Sequence, residues 1–380
     1  MSAETETIAK QDKLSLLREE RALLASIVTM VVFYLFGKTW LADLSNHLWF
    51  GFVLAWLFGV ILFSAFAIVR HAEGLATILG EPLGTLVLTL SAIGIEVLMI
   101  SAVMLASDAK PAIARDTMFS VVMTLLGGMT GVSLLLGGLR HHEQTYNLQG
   151  ANAYLALIIP LAVLGLVLPT FTTTSAGPTL SAFQSIFLSL MSVGIYGTFL
   201  AEQTSRYRKF FIPLEADAER DADLDGEHEV KSTRHHAIFL VLYILPLVIL
   251  AKKLAVPLEY GTRVLGAPQA LSGFLVGVLI LSPEAMSAIK AAQRNQLQRS
   301  FNILLGSVLA TIGLTIPAVL VIGLLTGKTV YLGLDAVNTI LLLLVLAVSA
   351  VTLSSGRTNA LQGAVHLLIF LAYLMFMFES

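Results

Sequence analysis

The sequence contains no cysteine and few charged residues, and these two shortages limit what the protein can be. Without cysteine, the 380-residue chain forms neither a disulfide nor a thiolate metal site. Charged residues make up 13% of the chain, well below the ~25% of an ordinary soluble protein. The net charge of -2 lacks the basic excess that nucleic-acid binding needs, so we expect no nucleic-acid partner.

Hydrophobic residues make up 56% of the chain and are arranged in long runs. Eleven such runs approach the ~20 residues with which a helix crosses a bilayer. A membrane barrel would show short alternating segments, so the pattern predicts an all-α polytopic membrane protein with 11 transmembrane helices in a lipid bilayer. The predicted spans are residues 22–40, 48–69, 81–106, 117–139, 152–169, 179–200, 236–256, 269–292, 300–324, 336–355 and 358–378.

The basic residues predict how these spans are oriented. Most of the 23 lysines and arginines fall in loops on the same side as the N-terminus. The charged N-terminal tail has no small-residue cleavage site directly after the first apolar run, which indicates a retained tail. We therefore expect a bacterial inner (plasma) membrane protein with a cytoplasmic N-terminus and a C-terminus on the periplasmic or outer side.

The order of the spans predicts one extra helix followed by two five-helix repeats. Residues 1–47 hold the cytoplasmic tail and the first helix, 48–205 the first repeat, 206–235 an acidic cytoplasmic connection, and 236–380 the second repeat. Because each repeat has an odd number of spans, the second enters the membrane from the opposite side. Such inverted repeats are typical of transporters whose ion site lies near the midplane, where the repeats meet.

Two predicted spans carry a glutamate deep within apolar sequence, Glu96 in the first repeat and Glu284 in the second. An ionisable group at that depth costs at least ~2.5–3.5 kcal/mol, so it is usually retained because it lines a polar path. We predict that both carboxylates bind a metal cation and a proton. Pro283 precedes Glu284, and we expect it to kink the helix and free the carbonyl of Leu279 as a further oxygen ligand.

Polar side chains near these glutamates are further candidates. Spacings of three and four place Thr85 and Thr89 on one helical face with Glu81 and Glu96, although both threonines could equally be packing residues. The candidate hydroxyl ligands are Thr85, Thr89, Ser120, Thr124, Ser307 and Thr311. We expect Glu81, Glu73 and Glu143 to line a cytoplasmic vestibule that attracts cations.

The acidic connection has an acid at every second position between residues 215 and 229. Asp221, Asp223 and Asp225, followed by Gly226, match the opening of a calcium-binding loop. The twelfth position, where such a loop has a bidentate glutamate, is Ser232. The segment is therefore either a regulatory calcium site or, by default, a solvated stretch that concentrates cations.

Histidines collect on the predicted cytoplasmic side and titrate near neutral pH, so they form either a pH-gating cluster or ordinary solvated loops. These six are His71, His141, His142, His228, His235 and His236. The remaining lone polar residues His366 and Gln184 lie in apolar helices and are expected to be satisfied packing positions. The spans contain neither paired aspartates nor a histidine cluster, so we expect no intramembrane protease and, more generally, no enzyme and no cofactor.

From about residue 75 to the last span, the chain resembles the cation/proton exchangers of the calcium/cation antiporter superfamily, in particular their bacterial ChaA-type branch. The stretches that carry the resemblance are LGEPLGTLVLTLSAIGIEV, GGLRHHEQ and SPEAMSAIKAAQRNQLQRSFNILLGSVLATIGLTIP. The resemblance implies that Glu96 and Glu284 are the two central glutamates that bind the ion and exchange the proton. This chain has AIGIE and ILSPE where the family commonly has G-N-A-x-E.

The expected function is a proton-coupled cation antiporter that works by alternating access. Calcium is the first expected cargo, because two facing glutamates supply the charge for a divalent ion. Sodium or potassium exchange for protons is the alternative. A cation channel would also need acidic pore residues, but it would not need opposed glutamates in two inverted halves.

Overall fold

The computed structural model describes residues 19–80, 83–106, 111–211 and 232–379, which are almost entirely helical. Two short strands, β1 (Glu143–Thr145) and β2 (Arg357–Asn359), pair antiparallel with Gln144 opposite Thr358, a pairing that the hydropathy pattern does not predict. In chain order the elements are α1 Arg21–Leu35, α2 Gly37–Trp40, α3 His47–Leu79, α4 Leu83–Ala106, α5 Ile113–His141, β1 Glu143–Thr145, α6 Leu148–Phe171, α7 Ala182–Thr204, α8 Thr233–Arg263, α9 Gln269–Gln293, α10 Leu297–Thr326, α11 Ala336–Thr352, β2 Arg357–Asn359 and α12 Ala360–Glu379.

Within the described residues, nine helices are long and apolar enough to cross a membrane, namely α3 to α10 and α12. The other two predicted spans correspond to α1 and α11, which are apolar but have 15 and 17 residues. The polytopic helical class is thus confirmed. The count of 11 spans and the inverted-repeat arrangement stay predictions.

The chain divides into two compact units, and the first comprises Met1–Ala92 and Val230–Leu265. In this unit α3 packs along α8, and α1 packs against both. All three tryptophans of the chain lie in one cluster of contacting rings, with Trp40 5.6 Å from Trp49 and 6.1 Å from Trp56. Such a cluster is typical of a membrane–water interface, where an aromatic ring meets both lipid and headgroups.

The second unit comprises Ile93–Glu229 and Gly266–Ser380, and its core is formed by α5 and α10. In their apolar stretches 78% and 67% of residues are buried, against 28% in α7 and in α12. Helix α9 packs against both α5 and α10. A Cβ on Gly273 of α9 would lie 2.7 Å from the backbone of Asp116 and Thr117, so glycine permits the close approach of α5.

Local hydrogen bonds determine where several helices begin. The side chain of Asn46 accepts from the backbone N–H groups of Leu48 and Trp49 and so caps α3. Ser181 and Gln184 form a reciprocal capping box at the start of α7. Gln184 is therefore a satisfied structural residue, as its lone position in an apolar helix predicts.

Candidate functional site

Glu96 is a buried carboxylate of α4, in the part of that helix that belongs to the second unit. The residue is only 4% exposed. Its Oε2 atom accepts a hydrogen bond from the hydroxyl of Thr311 at 2.9 Å, whereas its Oε1 atom has no hydrogen-bond partner among the described residues. A buried carboxylate oxygen without a donor can accept a proton or coordinate a cation.

Glu284 lies on α9 and is half-buried, and its Oε2 atom accepts a hydrogen bond from the hydroxyl of Ser307. Thr311, which donates to Glu96, is four residues from Ser307, so the two carboxylates are held at neighbouring positions of one helical face. Helix α9 continues without interruption through Pro283, so the proline sits inside the helix instead of ending it. The structure thus brings the two glutamates into one site.

Helix α10 supplies the hydroxyl donors for both carboxylates. Ser307 and Thr311 are four residues apart, so they lie one above the other on the same helical face. A π-helical turn begins at Thr311 and ends at Thr315. Thr315 is buried, and its hydroxyl lies near the carboxylate of Glu96.

Helix α5 contains the corresponding residues Ser120 and Thr124 at the same spacing. It also has a π-helical turn, over Met123–Met129, which includes Thr124. Ser120 is hydrogen-bonded to the hydroxyl of Tyr373 at 2.6 Å. The hydroxyl oxygen of Thr124 is buried and has no partner in the described ranges. π-helical turns occur often at functional sites, and neither of these two was visible in the hydropathy pattern.

The other predicted site residues are more widely distributed. Thr89 is half-buried on α4, while Glu81 and the side chain of Thr85 lie outside the described part of the structure. Glu73 is exposed in the first unit, and Glu143 is exposed in the second, where it pairs with Arg357 at 3.5 Å. Asp221, Asp223 and Asp225 of the acidic connection also lie outside the described residues.

The histidines differ from one another in their surroundings. His71 is 1% exposed inside the first unit, so the expectation of a solvated loop residue is wrong for this histidine. His141 and His142 lie at the end of α5 in the second unit, where a ring nitrogen of His141 is 3.0 Å from the carbonyl of Gln293. His366 is fully buried between the carbonyl of Leu126 and the hydroxyl of Thr352, and is the satisfied packing residue that the sequence predicts.

Among the described residues, the glutamate site has no basic side chain to balance its charge. Neither Glu96 nor Glu284 forms an ion pair with a basic side chain among the described residues. Removing two bare carboxylates from water without a counter-charge costs several kcal/mol per ion. A proton or a metal cation relieves this cost, and carboxylate and hydroxyl oxygens are the ligands that hard cations prefer.

Comparison with known proteins agrees with this chemistry. The model of the family described as sodium/calcium exchanger protein matches residues 47–204 and 235–379. The chain is 39% identical to the sodium-potassium/proton antiporter ChaA of Escherichia coli (strain K12), over 97% of this chain and 99% of that protein. It is 42% identical to the putative ionic transporter y4hA of Sinorhizobium fredii (strain NBRC 101917 / NGR234), over 83% of this chain and 86% of that protein.

A solved structure shares the fold. The Ca2+/H+ antiporter protein YfkE superposes with a TM-score of 0.72, over 95% of this chain and 99% of that chain, at 19% identity. The family model matches most of the chain, and the 39% identical relative aligns with nearly all of it. These two findings assign the chain to a family. The chain belongs to the sodium/calcium exchanger protein family, among the cation/proton exchangers of the calcium/cation antiporter superfamily that its two glutamate motifs resemble.

Proposed function

We propose that the protein is a multi-pass membrane antiporter that exchanges a cation for protons at Glu96 and Glu284. One observation carries the proposal. Two neighbouring carboxylates lie inside an apolar helical unit, each holding one hydroxyl donor, and neither has a basic partner among the described residues. Such a pair needs a cation or protons to be neutral.

Competition between the two ligands gives the exchange. A carboxylate oxygen that holds a proton cannot also coordinate a metal ion, so each ligand displaces the other. The neutralised site can face either side of the membrane at low cost, whereas the empty doubly charged site resists passage through the apolar barrier. This difference prevents the empty carrier from returning and thereby couples the two fluxes.

Charge balance favours calcium as the cargo, because two carboxylates match one divalent ion. Ser307 and Thr311 would then contribute hydroxyl oxygens. The coordination would be completed by Thr315, which lies near Glu96, and by Thr124, whose buried hydroxyl oxygen has no partner in the described structure. The fold shared with a Ca2+/H+ antiporter is consistent with this choice.

A specific observation also favours monovalent cations. The relative that is 39% identical over nearly the whole chain is named a sodium-potassium/proton antiporter. A sodium or potassium ion at the same two carboxylates would leave one negative charge, which one proton would neutralise. Sodium-potassium/proton exchange is therefore the second candidate, and it predicts that cation and proton can occupy the site together.

We infer further that α4–α5 and α9–α10 are equivalent parts of two inverted repeats, with the N-terminus in the cytoplasm. Each pair places a glutamate on its first helix and, on its second, a Ser/Thr pair four residues apart that leads into a π-helical turn. In this view Thr85 and Thr89 continue the polar face toward the cytoplasm. Glu81, Glu73 and Glu143 attract cations at that side, and the acidic connection tunes the response without taking part in turnover.

The test is a transport assay in proteoliposomes with an imposed proton gradient. Calcium, sodium and potassium are added separately, and dissipation of the gradient is followed. We expect Glu96→Gln and Glu284→Gln each to abolish exchange, because a neutral amide can neither titrate nor balance the cation. The matched control is Glu259→Gln, which removes an acid that pairs with Arg263 at 2.8 Å on α8 and is expected to transport normally.

Two results would contradict the proposal. Near-normal exchange by either site variant, in a correctly inserted protein, would remove the glutamates from the mechanism. Cation flux that does not depend on the proton gradient would indicate a channel. The same assay decides between the two cargo candidates. Dissipation of the proton gradient by calcium alone would favour calcium/proton exchange, and dissipation by sodium and potassium alone would favour sodium-potassium/proton exchange.

A further inference from the structure

A second cluster of titratable groups lies in the first unit and contains neither Glu96 nor Glu284. Glu20 directly precedes α1, His71 lies near the end of α3, and His236 lies near the start of α8. Glu20 is 5% exposed and His71 is 1% exposed, so this polar cluster is buried where three helices meet.

Hydrogen bonds link the three side chains in a row. Nε2 of His71 is 3.2 Å from Oε2 of Glu20, and Nδ1 of His71 is 3.1 Å from Nδ1 of His236. A carboxylate only accepts, so Nε2 of His71 carries a proton. The two Nδ1 atoms that face each other can be hydrogen-bonded only if one of them, and not both, carries a proton.

This geometry distinguishes the protonation states of the two histidines. With both rings neutral, His236 donates to His71. With one added proton, His71 is an imidazolium that donates to Glu20 and to His236, so the chain of bonds persists and gains an ion pair. With a second added proton, two N–H groups and two positive charges face each other at 3.1 Å, and the bond between α3 and α8 cannot form.

Other polar and charged side chains contact Glu20 and contribute to the charge of the cluster. Arg70 donates to both carboxylate oxygens of Glu20 at 3.0 and 3.1 Å, and the hydroxyl of Tyr243 donates to Oε2 at 3.0 Å. His235 lies 3.9 Å from Glu20. The charged residues that lie close to these groups along the described chain are Glu19, Arg21, Glu73 and Arg234.

The guanidinium of Arg70 makes protons a better ligand for this cluster than a metal ion. One of its nitrogens contacts both oxygens of Glu20 and lies 3.5 Å from Nε2 of His71, which is where a bound cation would have to sit. A metal ion would therefore have to displace a positive group that is already hydrogen-bonded there. A proton on His71 or His236 displaces nothing.

The backbone of α3 is shaped to receive the ring of His236. A Cβ on Gly74 would lie 2.5 to 2.8 Å from three atoms of that imidazole. No side chain fits in this space while the ring is in place, so the glycine lets His236 reach His71. The contact between the two histidines thus depends on α3 and α8 lying directly against each other.

We propose that Glu20, His71 and His236 form a second proton-binding site. The site holds α1, α3 and α8 together while the two histidines share at most one added proton. When both histidines are protonated, α8 is released from α3. The ligands of this site are protons. The site makes the packing of the first unit sensitive to pH.

The test measures the distance between α3 and α8 as the pH changes. Because the natural chain has no cysteine, spin labels can be placed specifically with Thr77→Cys on α3 and Ile238→Cys on α8, two exposed positions. Pulsed electron spin resonance on the labelled protein in detergent at pH 8 should show the short distance. At pH 5 a longer distance should replace it.

Substitutions then assign the effect to the cluster. In His236→Asn the amide N–H can donate to Nδ1 of neutral His71, and the amide oxygen can accept from the Nδ1–H of protonated His71, so the short distance should persist at pH 5. In Gly74→Ala the ring is displaced, so the longer distance should already be present at pH 8. His47→Gln alters an exposed histidine at the opposite end of α3 and should keep the wild-type pH response.

Three outcomes would overturn the proposal. The first is a distance in the wild type that does not change between pH 8 and pH 5. The second is a pH response in His236→Asn equal to that of the wild type, in protein whose helicity and size-exclusion profile are normal. The third is a response that chelator abolishes and equimolar zinc restores, which would show a metal site instead.

Discussion

Thr311 offers a direct test of whether the hydroxyls of α10 support the carboxylates. Its hydroxyl donates a hydrogen bond to the Glu96 carboxylate at 2.9 Å, and the residue is fully buried. Thr311→Val keeps the shape of the side chain and removes only the hydroxyl. We therefore expect the variant to fold and to transport with a weakened site.

The size of the effect follows from the kind of bond that is lost. A hydrogen bond to a charged group contributes about 1.5–3 kcal/mol. Each 1.4 kcal/mol is a factor of ten in affinity, so apparent cation affinity should fall roughly 10- to 150-fold. Thr311→Ser keeps the donor and should stay much closer to the wild type.

The matched control for this prediction is on the same helix. Thr326 is exposed near the end of α10, and its hydroxyl donates to the carbonyl of Ile322 within that helix. Thr326→Val removes the same chemical group and should leave transport unchanged. The measurement is the cation concentration at half-maximal exchange in proteoliposomes. An affinity of Thr311→Val within twofold of the wild type, or an equal loss in Thr326→Val, would refute the role of the hydroxyl.

Two further predictions concern stability, measured as unfolding in detergent. His366→Leu leaves the buried carbonyl of Leu126 without its donor, so it should lower the free energy of unfolding by about 1–3 kcal/mol. The matched control His47→Leu changes an exposed residue and should leave that free energy almost unchanged. Equal losses in the two variants would contradict this. Burial acts to raise the pKa of Glu20, but the hydrogen bond and charge of His71, the charge of Arg70 and the hydroxyl of Tyr243 together hold it below its ordinary value of 4.5. The stabilisation from ionised Glu20 is therefore fully present at pH values above 4.5 and is lost as the pH falls through the lowered pKa. Glu20→Gln should thus reduce the fall in the free energy of unfolding at acid pH. An unchanged pH dependence would contradict this.

The class of the protein and the two central acids could be predicted because they depend on local sequence. Hydrophobic run length identifies a span, and a glutamate in the middle of such a run is costly wherever the helix packs. Ser307 and Thr311 could be nominated by their position after the Glu284 span. Their assignment to different carboxylates could not, because it depends on how α4, α9 and α10 pack together.

The histidine cluster of the first unit was beyond the sequence for a similar reason. His71 and His236 are separated by more than 160 positions, and each lies near the end of an apolar run where a solvated side chain is the ordinary outcome. Only the packing of α8 along α3 buries them against Glu20. The π-helical turns were also invisible, because one extra residue per turn hardly changes a hydropathy average.

The regular spacing of the hydroxyls on α10 also bears on how this helix could move. Ser307, Thr311 and Thr315 recur every four residues and form a ladder of three rungs facing two carboxylates. If α10 moved along its axis by four residues, roughly 6 Å in α-helical geometry, Thr311 would reach the place of Ser307 and Thr315 the place of Thr311. Each acid would then face a hydroxyl again at the end of that step.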